Sequence, residues 1–494
     1  MPRLRTVRFW LTSLLLVAFA RSAWFAASYY LQSAPRFRLE SAVILFVVIG
    51  MALATSQKVG PAEKDADTRY PSLWPGLLCA AVAVLLYLPS LSVGMLSDDY
   101  SLLAMSQSST LGVGAGWYFR PLPLLIWRLL SLLSDNPVLL HMVNVALHAL
   151  NAYLVVELAS LLGMSGLGIF SAGLIFATFP AAAEAVVWLS GVQDLLLTSL
   201  ALASVIAALT GRTTLAICCF ALGLATKETA ICIPVLVLIQ ARSLEALRQR
   251  SSLWIGFGSL LVVYVVARIA LGTPTGYFVP PTSYMLKEIL VLSFGTLAAP
   301  FRTHASWSAL VTVEIVLAMA AVACVRWSRT SSNFHRALRA AIWVFAAVGP
   351  VYSMFFVGDD LQGSRYVYLA ACGWAILWVT FTTETAGILR RPTLVSTALT
   401  GVLLVISVHA IIGELRVWRA AGTVRDTVLQ EAHIAMRGSS CETFEFVGVP
   451  DQIEGAYVFR NGLWEALFKN APPISRPAAD CRLTWTDHRF SLSR

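Results

Sequence analysis

Residues 138–162, VLLHMVNVALHALNAYLVVELASLL, and 188–210, WLSGVQDLLLTSLALASVIAALT, decide the fold. Each is an apolar run of the roughly 20 residues that a helix needs to cross a bilayer. Similar runs recur along almost the whole chain of 494 residues. In lipid the backbone must satisfy its own hydrogen bonds, so long Leu/Ala/Val runs mean helices and not a barrel. Composition agrees: 57% of residues are hydrophobic and 13% charged, against about a quarter charged in soluble proteins. The mean hydropathy is +0.72. The expected class is an all-α polytopic membrane protein.

Basic residues set the topology. Arg3, Arg5 and Arg8 precede a span to about Leu31, read as uncleaved although Ala18-Phe19-Ala20 resembles a signal-peptidase site. Spans are expected at 39–56, 73–93, 138–162, 166–183, 188–210, 253–271, 307–325, 341–357, 367–384 and 393–412. Two shorter pieces, 213–225 and 230–241, read as a hairpin tipped by Thr226-Lys227-Glu228-Thr229. The loops with Lys58, Lys64 and Arg69, with Arg242, Arg248 and Arg250, and with Arg326, Arg329, Arg336, Arg339, Arg390 and Arg391 fall on the inner side. The net charge of +9 is thus a topology signal, not a nucleic-acid surface. About 11–13 crossings are expected, and the count of thirteen, from an inner N-terminus, puts a polar tail from about 415 outside. Its Cys441 and Cys481 are a disulfide candidate for an oxidising compartment. The apolar pattern pauses at 97–137, where two amphipathic pieces, Tyr100–Ser106 and Phe119–Leu133, suit the interface, as does Lys287–Leu297.

Charges at a bilayer are costly, so those not on the inner side call for a reason. They include Asp98, Asp99, Arg120, Glu184, Asp194, Lys227, Glu228 and Arg365. Asp98-Asp99-Tyr100 reads either as a helix-capping loop or as a general base with a helper carboxylate. Lys227, between two short helices, and Arg365, at the outer end of a span, suit an anionic leaving group. Glu184 and Asp194 flank an outer turn around Trp188 and read equally well as solvated helix ends. His141, Asn144, His148 and Asn151 share one helix face. Interhelical bonding is the ordinary reading of such a stripe, with His141 the candidate for a direct role.

In order, Ser97-Asp98-Asp99-Tyr100, Tyr118-Phe119-Arg120-Pro121-Leu122, Asn136-Pro137, the His141–Asn151 stripe, Pro180, Glu184–Trp188, Gly191–Leu195, Lys227-Glu228 with Pro234, and Arg365-Tyr366-Val367-Tyr368-Leu369 resemble the GT-C superfamily of polyprenyl-phosphate-sugar glycosyltransferases. The set looks most like the membrane half of the transmembrane and tetratricopeptide-containing O-mannosyltransferases and their bacterial relatives. Three features depart from that pattern: Gln193 replaces a usual basic residue, the tail has no tetratricopeptide repeat, and the N-terminal hairpin is an addition.

The resemblance implies a GT-C-type bundle with interfacial helices in its first large outer loop and a small soluble C-terminal domain. The chain then divides into an N-terminal hairpin and cytoplasmic loop (1–72), a catalytic membrane domain (73–385), a last span (386–414) and a tail (415–494). It further implies inverting transfer of a mannose-like hexose from a polyprenyl phosphate to an acceptor hydroxyl. Asp98 is the expected base, with Asp99 as substitute. Lys227, Arg365 and Arg120 hold the lipid phosphate. Tyr100, His141, Asn144, Glu184, Asp194, Glu228 and Tyr366 support the sugar or acceptor. A divalent metal (Mg or Mn) on Asp98 and Asp99 stays open, and no other cofactor is expected. The acceptor is a protein, lipid or glycan, and nucleic acid is not a partner. A bacterial inner membrane with a periplasmic site is expected, the endoplasmic reticulum with a lumenal site being the alternative. The competing function is a transporter or flippase, which would show inverted repeats and a midplane site.

Overall fold

A computed structural model describes residues 73–111, 119–240, 249–272, 289, 293, 295–298, 300–302, 332–386, 391–441, 443–468 and 480–493. The N-terminal hairpin, Tyr118, the 307–325 span and most of Lys287–Leu297 lie outside the described residues. Among the described residues, six helices are long and apolar enough to cross a membrane. A bent pair, Gly166–Ala177 with Pro180–Val187, makes seven if it is one span.

The chain begins with α1 (Leu73–Tyr87), α2 (Asp98–Gln107) and α3 (Pro121–Ser131). Of the two pieces expected to be amphipathic, only α3 segregates an apolar face; α2 is short and mixed. Pro121 opens α3, where the amide that proline lacks would have no helical partner. Then come α4 (Val138–Leu161), α5 (Gly166–Ala177), α6 (Ala183–Val187) and α7 (Val192–Leu209). Ser165 caps α5 by accepting from the Gly168 amide. Pro180 breaks the apolar run after Ala177, and the two pieces bend by 49°. Helices α1, α4 and α5 pack closely at Gly173, where a Cβ would sit 2.4 Å from Val156 and 2.7 Å from Cys79. Small residues at such crossings let membrane helices approach.

The expected hairpin is α8 (Thr213–Leu224) and α9 (Ile233–Gln240), joined through a 3₁₀ turn at Glu228–Cys232. Next are α10 (Ser251–Ala270), α11 (Ser332–Val348), α12 (Tyr368–Ala386) and α13 (Pro392–Arg437). Helix α11 starts nine residues before the span expected at 341 and stops at Val348, where Pro350 has no amide to continue the ladder and the chain tightens into a 3₁₀ turn over Gly349–Val351. Its polar head is helical because Arg336 donates to the Leu162 and Gly163 carbonyls at 3.1 and 3.0 Å. Arg250 likewise donates to the Ala208 carbonyl. Both basic residues therefore sit at the end of the bundle away from Asp98.

Burial separates the helices. The apolar window of the span ending at Glu384 is 83% buried, and that of Ser251–Ala270 only 17%. Helix α12 is thus a central column, while α10 presents Ile255, Val262, Val263 and Ile269 outward. Helix α13 runs unbroken for 46 residues, through the 414–415 position where the sequence turns polar. At 1.5 Å per residue it is about 69 Å long, over twice the hydrocarbon thickness of a bilayer.

Beyond α13, β1 (Phe444–Val447), β4 (Cys481–Thr486) and β5 (Arg489–Ser493) form a sheet, β1 parallel and β5 antiparallel to β4. A separate hairpin pairs β2 (Gln452–Ile453) with β3 (Ala456–Tyr457) through Glu454 and Gly455, both at positive φ. Short helix α14 (Leu463–Leu467) follows. A disulfide joins Cys441, just past α13, to Cys481 at the start of β4, with Cα atoms 6.1 Å apart.

Candidate active site

Asp98 and Asp99 begin α2, where the amide dipoles favour carboxylates. Their side chains part at once. Asp99 is fully buried, and its Oδ2 accepts from the Leu96 amide at 2.8 Å. Its Oδ1 accepts from the Ser190 amide at 2.8 Å and from the Ser190 hydroxyl. Burial pushes its carboxyl up to about 7, against the pull of those hydrogen bonds. Asp98 is half-buried, and its Oδ1 accepts from Asn461 Nδ2 at 2.6 Å. One carboxylate is thus committed to holding the turn, and the other is open.

This geometry bears on a metal. Both Asp99 oxygens accept hydrogen bonds, which leaves Asp98 the freer of the two carboxylates toward a cation. Among the described residues, no group of three or more His, Cys, Asp or Glu is placed to hold a metal.

The cations are brought together, and each has a carboxylate. Lys227 Nζ lies 2.5 Å from Asp194 Oδ1, with side chains 4% and 11% exposed. Arg365 pairs with Glu184, and Arg120 forks onto both oxygens of Glu228. Glu184 also accepts from the Arg365 amide at 3.2 Å, the Ser364 hydroxyl at 3.3 Å and the Tyr457 hydroxyl at 3.4 Å. Arg365 is boxed by aromatic rings, its guanidinium 4.7 Å from the Trp188 centroid and 5.0 Å from that of Tyr366. Lys227 faces Tyr366 at 5.5 Å. The departure at Gln193 has a physical reason: its amide oxygen accepts from Arg120, where a basic residue would repel it.

Asp194, Lys227, Arg365 and Tyr366 line a cavity of ≈ 10 Å³, room for about one water. Thr198 and Thr229 line it as well, and among the described residues neither buried hydroxyl has a partner. Trp188 joins the two halves of the site. Its indole donates to the Leu96 carbonyl at 3.1 Å, one residue before the Ser97 turn, while its ring lies against Arg365.

The polar stripe on α4 mostly sews the bundle together. Asn144 donates to the Trp188 carbonyl at 3.0 Å. His148 contacts the Tyr368 hydroxyl at 2.7 Å and the Ala177 carbonyl at 3.1 Å, and Asn151 reaches Leu195 and Ser199. His141 is closed to solvent, its Nε2 3.2 Å from the Gly94 carbonyl. What it does there is hold the loop before Ser97. Among the described residues its Nδ1 has no partner. Tyr100 stacks on Phe459 of the tail at 6.1 Å, and burial pushes its phenol up to about 12.

Two residues at this site, Tyr457 and Asn461, escape sequence reasoning altogether. They lie in a polar tail more than 90 residues from Arg365 and 360 from Asp98, and no local pattern marks them.

A stretch of 136 residues is 33% identical to the Protein O-mannosyl-transferase Tmtc1 of Drosophila melanogaster. The match covers 24% of this chain and spans only 16% of the fly protein's length. No family model matches the chain, and no solved structure matches it. The likeness is confined to a fragment of the fly protein, and, independently of it, the apolar helices fit a membrane protein.

Proposed function

We propose that the chain is a GT-C-type glycosyltransferase that moves a mannose-like hexose from a polyprenyl phosphate to an acceptor hydroxyl, with inversion. Asp98 takes the hydroxyl proton. The acceptor oxygen attacks the anomeric carbon, and the bond from that carbon to the phosphate oxygen breaks. The phosphate leaves with the electron pair. It is a good leaving group, so cations replace the acid that glycosidases use.

The observation that carries this reading is Trp188. Its one indole ties the supports of the two groups together: the N–H holds the Leu96 carbonyl, two residues before Asp98, and the ring lies against the Arg365 guanidinium. A base and a phosphate-holding group must flank the same anomeric carbon, and this arrangement permits it. The paired state of Lys227 and Arg365 adds a step. A phosphate group exceeds the room beside them, so the donor enters by drawing Lys227 from Asp194 or Arg365 from Glu184. The carboxylates keep the cations aimed until then. Protein is the acceptor class that the fly relative's name favours. We place the site and tail on the outer face, periplasmic or lumenal, where the Cys441–Cys481 bridge suits the redox state.

The test is transfer of radiolabel from polyprenyl-phosphate mannose in purified membranes supplied with crude envelope extract. Wild type should label an acceptor, and Lys227→Met should not. Labelling undiminished in Lys227→Met would remove the cation from the mechanism.

A further inference from the structure

The tail packs against the turn that carries Asp98. Ser97 has φ 48° and ψ −118°, a conformation that an L-residue adopts only when its surroundings hold it there. The tail supplies that hold. The Ser97 amide donates to the Val458 carbonyl at 2.9 Å, and the Asn461 amide donates to the Ser97 hydroxyl at 3.2 Å. Gly462, at φ 80°, passes so close that a Cβ there would lie 2.2 Å from the Ser97 carbonyl oxygen. One turn on, the Ser101 hydroxyl donates to Glu465 at 3.2 Å. Asn461 Nδ2 then binds Asp98 Oδ1 itself at 2.6 Å. Among the described residues, no hydrogen bond falls on Asp98 Oδ2.

We propose that tail residues 458–462 complete the catalytic centre, with Asn461 a positioning residue that fixes one Asp98 oxygen and leaves the other for the acceptor proton. This rests on Asp98 being the base. An amide suits the place because it donates to the carboxylate without a charge that would neutralise it. The proton passes from the acceptor hydroxyl to Oδ2, as the new bond to the anomeric carbon forms and the bond to phosphate breaks. The tail therefore belongs to the chemistry and is more than a cover: without it Ser97 has no reason to stay in its present backbone.

Asn461 is exposed, so its variants should fold. The experiment compares full-length wild type, Asn461→Ala, Asn461→Asp and Asp98→Ala with polyprenyl-phosphate mannose, reading kcat and donor KM separately. Asn461→Ala should lower kcat about ten- to a hundredfold, the worth of one hydrogen bond to a charged group, with donor KM unchanged. Asn461→Asp, the same shape with a repelling charge, should be worse than Asn461→Ala. A purely structural role predicts the reverse order, the isosteric Asp variant keeping more activity, and that order would overturn the inference. So would wild-type turnover in both Asn461 variants while Asp98→Ala is dead. Full transfer by Asp98→Ala would instead bring down the base assignment, and the positioning role with it.

Discussion

The two halves of the site are built on opposite plans. In the cation half, Lys227, Arg365 and Arg120 come from different parts of the helical bundle, and each is paired with a carboxylate of that same bundle: Asp194, Glu184 and Glu228. In the carboxylate half, Asp98 sits half-open on a strained turn, and what holds it comes from the far end of the chain. The difference teaches where each half draws its precision. Buried charges must be neutralised where they lie, so the bundle supplies counter-charges. The proposed base must stay accessible, so it cannot be locked by burial and is steadied from one side.

The largest effect should separate the halves by chemistry. Asp98→Asn should lower transfer about 10²- to 10⁴-fold, the usual worth of a general base, while leaving thermal stability near wild type. The assay is initial rate with melting of the detergent-solubilised protein alongside. A melting point that collapsed with the activity would put Asp98 in the same structural class as Asp99.

The cation half should behave in the opposite way. Lys227→Met strands Asp194, and removing one member of a buried pair costs about 3–5 kcal/mol. The double variant Lys227→Met with Asp194→Leu should recover most of that stability and none of the transfer. Unfolding of the two variants measures it, and recovery of transfer in the double variant would mean that the pair only holds the fold.

Opening the Cys441–Cys481 bridge should act next most strongly, and locally. A bridge closing a loop of this size is worth about 2–4 kcal/mol in the unfolded-chain entropy picture. Cys441→Ser with Cys481→Ser should speed proteolysis within residues 443–493 while the bundle stays intact. Uniform cleavage across bundle and tail would show that the two are one cooperative unit.

The remaining effect, read as a pH slope, concerns Asp99. Its carboxyl is raised by burial to about 7 from an ordinary value near 4. The folded state therefore holds a proton that the unfolded state releases between those values. Its contribution to stability is complete below about pH 4 and is lost as pH rises through 7. Wild type should lose stability across that window, and Asp99→Asn should flatten the slope. An unchanged slope would assign the pH dependence to another group.

How legible the molecule is in its sequence follows the same division. The spans at 73–93, 138–162, 188–210, 253–271 and 367–384 appear as helices close to those bounds, because long apolar runs have few other options in lipid. The α11 boundary was not legible: Arg336 and Arg339 look like a loop until the Leu162 carbonyl that binds Arg336 is in place. The candidate cations and carboxylates stood out as charges in apolar sequence. Their pairing did not, since Lys227 and Asp194 are 33 residues apart and Arg365 and Glu184 are 181 apart. Nor did the split between Asp98 and Asp99, adjacent and chemically identical, which only Ser190 and Asn461 distinguish. Tail residues Tyr457 and Asn461 carried no signal, because a polar residue in a polar segment is unremarked until something packs against it.

The most direct measurement is single-turnover transfer from polyprenyl-phosphate mannose by purified protein, wild type against Asp98→Asn, with carrier binding measured on the same samples. Mannose should leave the carrier in wild type and appear on the acceptor with inverted configuration. Asp98→Asn should bind the carrier equally well and fail to transfer. Equal single-turnover rates in the two proteins, with the carrier bound in both, would contradict the assignment of Asp98 as the base and of this turn as the centre of the chemistry.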